Sequence, residues 1–296
     1  MQKILVYAAT GEQAFPVLPQ LRFGNKDVFA LTRNKAKASV KENERLHVVE
    51  ASLNDAQGLI KVTEGMDIVM LNIPFFSDDN TGAYAIEAAK QAGVKLIVWN
   101  ANGEVPQKTS NRIKMNFRME NMEMLVASGI PYVVFQPTIY IENLLMQETA
   151  RIIQEENRIE MVSSAEAVIP WMSTQDISAC MVKAIGKTEI YNKVFTVKGS
   201  GWSGNHLAET FTKVLGREIT YKQIDLNTYV KRVNLTMGES HGEEIMGLSP
   251  NKDQRPPREA NFPKFAALDA LEEFDVQSLP LENWVARHQH RFNQES

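Results

Sequence analysis

The sequence predicts an α/β fold built on a doubly wound parallel sheet, and two observations carry that prediction. Six short apolar runs recur through the first part of the chain, at residues 4–7, 28–31, 48–49, 68–71, 96–99 and 132–135. Runs that are apolar at successive positions, rather than alternate ones, belong to strands buried on both faces, as in parallel sheets. Between them lie helix-like stretches at 55–64, 81–92 and 116–128. Right-handed crossovers then place helices on both faces of the sheet.

The pattern loosens after Asn143. Residues 146–156 and 177–185 read as helices, with Ser173 or Thr174 available to cap the second. Residues 194–197 read as a strand, and 206–215 as a helix ended by Gly216. From 238 to 263 the chain is rich in Gly, Pro and charge, which predicts an exposed or mobile loop. The expected division is 1–148 and 149–296, with later segments returning to the first domain.

Composition narrows the function. A chain of 296 residues makes about two domains at ~150 residues each. It carries 32 Lys and Arg against 36 Asp and Glu, a formal charge of −4, so no basic excess exists to bind nucleic acid. Its single cysteine, Cys180, can form neither an internal disulfide nor a Cys-based zinc site, and is expected to be buried. The five histidines show no H-E-x-x-H spacing, so no metal is expected. His241, in the glycine-rich loop, is either a surface histidine or one that reaches a cleft. No G-x-S-x-G elbow appears, which argues against a hydrolase. No apolar run approaches the roughly 18 residues of a membrane span. The chain enters its first strand at once, leaving no room for a signal peptide. A soluble, cytoplasmic protein is the expectation.

In an open parallel sheet the ligand sits at the carboxyl ends of the strands. The first such turn is Ala8-Ala9-Thr10-Gly11-Glu12-Gln13-Ala14. A dinucleotide-binding turn wants small residues there, for a tight turn, for approach of backbone amides to the pyrophosphate, and for helix-on-strand packing. Gly11 supplies one, and Ala14 is tolerated at the third position. Ala8 fits only if its φ is negative, because Cβ disfavours the left-handed region. The alternative reading is any tight strand-to-helix turn in a flavodoxin-like protein. The second strand runs into Thr32-Arg33-Asn34-Lys35, with no acid to take a ribose 2′-hydroxyl. Arg33 offers a planar fork suited to a 2′-phosphate, with Lys35 or Lys37 adding charge, which favours NADP(H) over NAD. Asn72 and Ile73, ending the fourth strand, are counted with the cofactor-binding residues.

The turn at 6–14 resembles the "GATGxQG" opening of the NmrA-like family of atypical short-chain dehydrogenases/reductases. Leu31-Thr-Arg-Asn34 resembles its basic stretch, and Gly65-Met-Asp-Ile-Val69 its "GvDvV" strand. Phe135-Gln-Pro-Thr-Ile-Tyr-Ile-Glu-Asn-Leu144 is similar to "lRPtxyxENl", and residues 169–177 resemble the segment returning to the cofactor domain. The resemblance covers nearly the whole chain. It implies a Rossmann-type domain followed by a smaller C-terminal α+β substrate domain, with an active cleft between them.

Departures accompany it. Two family glycines are Ala8 and Ala14, and the Arg before the proline is Gln136. Short-chain reductases use a Tyr and a Lys four residues apart on one helix. Here the position matching the Lys is Arg118, the position four earlier is Lys114, and the helix carries no tyrosine.

Arg118 stays protonated and cannot act as acid or base, yet it can hold nicotinamide ribose hydroxyls or stabilise an oxyanion. Lys114 is either a proton donor with a pKa lowered by burial or part of a solvated basic face. Tyr140 offers a phenol to the cleft, or packs in the core. Asn100 and Asn102 either hydrogen-bond nicotinamide or substrate, or form a turn with Gly103. Met115, Met119 and Met122 recur at helical spacing, a core or subunit-contact stripe. The function implied is NADPH-dependent reduction of a small quinone, enone or other carbonyl compound. The alternative is a catalytically reduced NADP(H)-binding redox sensor acting through a protein partner. The expected partners are a small-molecule substrate and either a second copy of the chain or a regulatory protein, with no nucleic acid and no membrane.

Overall fold

The computed structural model describes residues 1–11, 14–21, 25–73, 80–110, 112–239, 241–248 and 255–293. The described chain divides into two compact units that interleave in sequence. One comprises residues 1–137, 174–197 and 253–276, and the other 138–173, 198–252 and 277–296. The division falls at 137/138, whereas the sequence suggested 148/149.

In the first unit the elements alternate as expected. They are β1 (Gln2–Val6), α1 (Val17–Leu21), β2 (Lys26–Thr32), β3 (Leu46–Glu50), α2 (Ala56–Thr63), β4 (Ile68–Asn72), α3 (Thr81–Gln91), β5 (Leu96–Asn100), α4 (Ile113–Ser128) and β6 (Tyr132–Pro137). The chain then enters the second unit with β7 (Ile139–Tyr140), α5 (Gln147–Glu156), β8 (Arg158–Met161) and β9 (Ile169–Met172). It returns to the first with α6 (Thr174–Lys183) and β10 (Lys193–Val197). The second unit continues with β11 (Ser200–Trp202), α7 (Gly204–Leu215), β12 (Thr220–Gln223), α8 (Leu226–Met237) and α9 (His241–Met246). Finally β13 (Leu268–Asp269) and α10 (Ala270–Glu273) belong to the first unit, and α11 (Leu281–His288) to the second.

The described strands of the first unit form an eight-stranded sheet, ordered β13-β10-β6-β5-β4-β1-β2-β3, in which every pair runs parallel. This is a Rossmann-type sheet, lengthened at one edge by β10 and β13. The apolar strand residues do what their pattern predicted. Leu5, Tyr7, Val69, Leu71, Ile97, Trp99 and Val134 lie in one core cluster, while Ile4, Val6, Ile68 and Val98 are equally buried. Burying each such side chain is worth about 1.5–3 kcal/mol, so a charge at any of these buried apolar positions would destabilise the sheet.

Local signals set the helix ends. Asp55 caps α2 by accepting from the Gly58 amide at 3.0 Å. Ser203 caps α7, and Gly216 ends it in the left-handed region at φ 68°. The region 238–263 is not simply a loop. It contains α9, and residues 258–260 are laced to 107–109 through Thr109 N–H to Arg258 O (3.0 Å) and Ala260 N–H to Gln107 O (3.0 Å). Arg255 pairs with Glu120 and Arg258 with Glu123 on α4, both at 2.5 Å, so complementary charge pins what composition alone marked as mobile.

The second unit has its own core around Ile141, Leu144, Trp171, Phe211, Trp284 and Phe292. Its described sheets are small: β11-β9-β7 and the parallel pair β12-β8. Trp284 Nε1 donates to Glu142 Oε1 at 3.1 Å, tying α11 to the segment after β7.

Ala8 overturns one expectation. Its φ is +50°, so a residue with a Cβ occupies the region glycine prefers. Two hydrogen bonds hold it there, Ala9 N–H to Leu31 O (3.0 Å) and Gly11 N–H to Ala8 O (2.8 Å). Left-handed backbone in a non-glycine residue costs about 1–2 kcal/mol. Ala8→Gly is therefore expected to leave stability unchanged or raise it in chemical denaturation. A loss of the ~0.4–1 kcal/mol expected from unfolded-state entropy alone would contradict a strained turn.

Gly199 offers the opposite test. A Cβ built there would lie 1.4 Å from Trp171 O, a backbone atom that cannot swing away. Gly199→Ala should destabilise by at least the upper end of the ~1–3 kcal/mol typical of overpacking. An unchanged denaturation midpoint would show that the two segments do not approach so closely.

Candidate active and cofactor site

The strand order reverses between β4 and β1, which makes their carboxyl ends the switch point of the sheet. Thr10 and Gly11 are exposed at the end of the β1 turn, and Thr10 Oγ1 sits 3.4 Å from Thr32 Oγ1 of β2. A Cβ at Gly11 would meet Ala8 O at 3.2 Å, so the turn is drawn tight around this glycine. Glu12 and Gln13 lie outside the described residues. Ala14 lies ahead of the first helix rather than within it. The helix begins at Val17 and spans 5 residues, while Ala14 precedes it and is 1% exposed. It packs inward, so a larger side chain there would disturb the core rather than simply obstruct a ligand.

Arg33 is exposed directly after β2, and no ion pair engages it among the described residues. Lys35 is held at 3.0 Å by Glu42, which leaves Arg33 as the guanidinium presented from this turn. At the end of β4, Asn72 is 2% exposed, and among the described residues neither its Oδ1 nor its Nδ2 has a hydrogen-bond partner. Asn100 lies opposite it in register on β5.

The other two asparagines are engaged by backbone. Asn100 Oδ1 accepts from the Asn102 amide at 3.0 Å, and Asn102 Nδ2 donates to Ile73 O at 2.7 Å. Asn102 has φ +57° ahead of Gly103, the turn-forming geometry weighed above. Ile73 thus enters the site through its carbonyl.

Arg118, on α4, donates from Nη1 to Glu104 O at 3.0 Å. A Cβ at Gly103 would meet that same Nη1 at 3.0 Å, so glycine is what lets the guanidinium lie against the loop after β5. Lys114 sits with Nζ 5.8 Å from the Phe117 ring centroid. Met119 and Met122 are core residues, at 0% and 1% exposure. Gln136, at the family's arginine position, accepts from the Val105 amide at 3.1 Å, while its buried Nε2 has no partner.

Tyr140 is 7% exposed and belongs to the second unit, on β7. The structure therefore gathers Thr10, Arg33, Asn72, Asn100, Asn102, Lys114 and Arg118 into the first unit and leaves Tyr140 outside it. Tyr7, directly before the turn, is pushed by burial to a pKa of about 12 and so keeps its phenol proton near neutrality. Cys180 is buried as expected, and that burial pushes its thiol to about 12.

Sequence reasoning missed two supports of this site. Asn116, fully buried on α4, donates to Ser110 O at 2.7 Å and accepts from its amide at 2.9 Å, clamping the approach to the helix. The Glu123 carboxylate takes Arg258 and the Asn261 amide, which hold it below the usual range. The first carried no sequence signal, because α4 is only weakly amphipathic and packing alone decides whether its asparagines are buried. The second links positions too far apart for any local pattern to show. Among the described residues, no group of three or more His, Cys, Asp and Glu side chains could hold a metal, and no helix is long and apolar enough to cross a membrane.

Known proteins share this architecture. The chain is 29% identical over 226 residues to an NAD(P)H azoreductase of Xenophilus azovorans, covering 75% of this chain and 77% of that one. It is 27% identical over 247 residues to quinone oxidoreductase 2 of Escherichia coli (strain K12), covering 79% and 83%. The triphenylmethane reductase of Citrobacter sp., solved with NADP(H), shares the fold at a TM-score of 0.76 and 17% identity, over 97% of this chain and 99% of that one. Residues 1–266 match the NmrA-like family, and with the switch-point turn, the parallel sheet and these relatives in view, the chain belongs to that family.

Proposed function

We propose that the protein is an NADPH-dependent reductase that transfers a hydride to a small quinone or a comparably electron-poor enone or carbonyl compound. The observation that carries this reading is the Asn72 amide, buried with neither atom partnered at the switch point. An unsatisfied buried polar group costs about 1–3 kcal/mol, a penalty that a ligand with its own donors and acceptors removes. A dinucleotide at the carboxyl ends of β1 and β4 is such a ligand. Arg33 would take the 2′-phosphate, and Gly11 would admit the pyrophosphate. Relatives named as an NAD(P)H azoreductase and a quinone oxidoreductase support the same reading.

NADPH, when bound, supplies a hydride, and a quinone that accepts it takes one proton to become a hydroquinone. What the chain lacks then selects the substrate. No tyrosine stands on α4 to donate a proton. Hydride transfer first gives the quinone a phenolate-type oxyanion, whose conjugate acid has a pKa near a phenol's ~10 and which therefore takes its proton from water. An alkoxide from a simple aldehyde sits nearer the ~15.7 of water and needs a resident acid. Water suffices for the first. Arg118 would orient ribose or stabilise the oxyanion by charge, with its guanidinium fixed by Glu104 O. The missing tyrosine also favours a second reading, an NADP(H)-binding sensor with little turnover.

Calorimetry should find NADPH bound more tightly than NADH, and Arg33→Asp should weaken NADPH by about 1.5–3 kcal/mol, the scale of a charged hydrogen bond. Equal wild-type affinities for the two nucleotides would overturn the phosphate role of Arg33. NADPH oxidation with methyl-substituted benzoquinones separates the two functions, since binding without turnover would establish the sensor.

In the active protein Arg118→Met should lower kcat by about 10² to 10³. A thermal melt of the variant must accompany the assay, because the same change releases the loop at Glu104. Unaltered kcat in a folded variant would remove Arg118 from the site.

A further inference from the structure

The loop after β5 carries a peptide group that is held at both ends. Its carbonyl, Glu104 O, accepts from Arg118 Nη1 at 3.0 Å, and its amide, Val105 N–H, donates to Gln136 Oε1 at 3.1 Å. In a trans peptide the C=O and N–H point in opposite directions across one rigid plane. Arg118 and Gln136 therefore grip the same unit from opposite sides, and all of these residues belong to the first unit.

Gln136 is out of character for its place. It lies near the end of β6, where Val133, Val134 and Phe135 are each 0% exposed, and is itself 5% exposed. Its Oε1 is satisfied by Val105, whereas its buried Nε2 has no partner among the described residues. A half-satisfied amide in a buried strand is not kept for stability, because an unpaired buried donor is costly. What the glutamine supplies is an acceptor. The arginine that the family resemblance places here carries donors only and would meet Val105 N–H donor to donor. It would also bring a second cation to the peptide that Arg118 grips. The departures at 118 and 136 thus fit one another.

Gly103 is the reason the clamp matters. Its φ is +136°, a conformation open to glycine, and its missing side chain leaves the room in which the Arg118 guanidinium lies. The same freedom lets the peptide that follows turn. Anchors on either side do not prevent this. Asn102 donates to Ile73 O at 2.7 Å before it, and Gln107 after it bonds the Phe265 backbone through Nε2 at 2.9 Å and Oε1 at 3.3 Å. The Val105 side chain, 1% exposed, fixes where that residue lies but not the tilt of the peptide before it. Gln136 sets the tilt.

We infer that Gln136 is a positioning residue, which holds the Arg118 guanidinium in place through the 104–105 peptide. Its bearing on turnover rests on the proposed reductase activity, whereas the clamp itself does not. Hydrogen bonds in a chain polarise one another, so the Gln136 acceptor also strengthens Glu104 O as the partner of the cation.

NMR on the full chain without nucleotide reads the clamp directly. In Gln136→Met, Val105 N–H should exchange with water at least about tenfold faster than in the wild type. The Arg118 Nη hydrogens, assigned through Arg118→Met, should exchange severalfold faster. Gln136→Glu keeps a carboxyl acceptor in either protonation state and should restore both. The melting temperature of Gln136→Met should move little, because one unpaired donor, Nε2, is exchanged for another, Val105 N–H.

NADPH oxidation with a methyl-substituted benzoquinone gives the second readout. Gln136→Met should lower kcat about tenfold, part of the loss expected for Arg118→Met, and Gln136→Glu should recover most of it. In the Arg118→Met background Gln136→Met should add no further loss, because it acts through the guanidinium. Unchanged exchange at Val105 or Arg118 in Gln136→Met would overturn the inference, as would equal fold losses of kcat in the two backgrounds. A wild type that binds NADPH without turnover removes the reductase alone, and the exchange rates still decide the clamp. Turnover with Arg118 exchange unmoved by Gln136→Met removes the clamp alone.

Discussion

The parallel hydrogen-bond ladder from β3 to β13 is the constraint on which the candidate site depends. Strands paired in parallel all end on one edge of the sheet, so whatever follows each strand is delivered there. Ala8 after β1, Arg33 after β2, Asn72 at the end of β4 and Asn100 at the end of β5 are remote in sequence, yet they share that edge. The ladder survives because both its faces are buried, and residues such as Val6, Val69 and Val98 supply that burial at 0% exposure. Side chains near the site are then free to be chosen for polarity.

Most of that polarity is spent locally. Asn102 ties the end of β5 to Ile73 beyond β4, Arg118 braces the Gly103–Glu104 stretch, and Asn116 closes on Ser110. These contacts build a rigid frame, the condition for holding a reacting group to within fractions of an ångström. Asn72 stands apart, with an amide that the frame surrounds and does not satisfy. Strain at Ala8 belongs to the same picture. A left-handed alanine persists only where its neighbours over-determine the turn, and such places cluster at ligand sites.

The second unit follows another rule. Its sheets are short, and its stability comes from interlocked aromatic rings, among them Phe211 against Phe292 with centroids at 5.1 Å. The chain of charge from Arg158 through Glu160 and Arg232 to Glu148 is weak evidence for stability, since buried ion pairs roughly repay their desolvation. Its clearer effect is to fix the direction of the Arg232 guanidinium.

By itself the sequence determined the sheet. Strand apolarity and period are local properties, so all six runs form strands, the expected helices appear within a few residues of their predicted ends, and Arg33 falls directly after β2. The resemblance in the turn and the "EN" segment pointed to the right family for the same reason: those motifs are contiguous. Tertiary structure alone decided whatever depends on partners distant in the chain. The left-handed conformation of Ala8 follows from a bond to Leu31 O, and the burial of Ala14 from what packs over it. The pinning of residues 255–261 follows from carboxylates on α4. Tyr140, which the sequence places either in a cleft or in the core, is buried in the second unit because β7 pairs with β9. Spacing along a chain encodes the period of an element; which groups finally meet is set by the packing free energy of the whole.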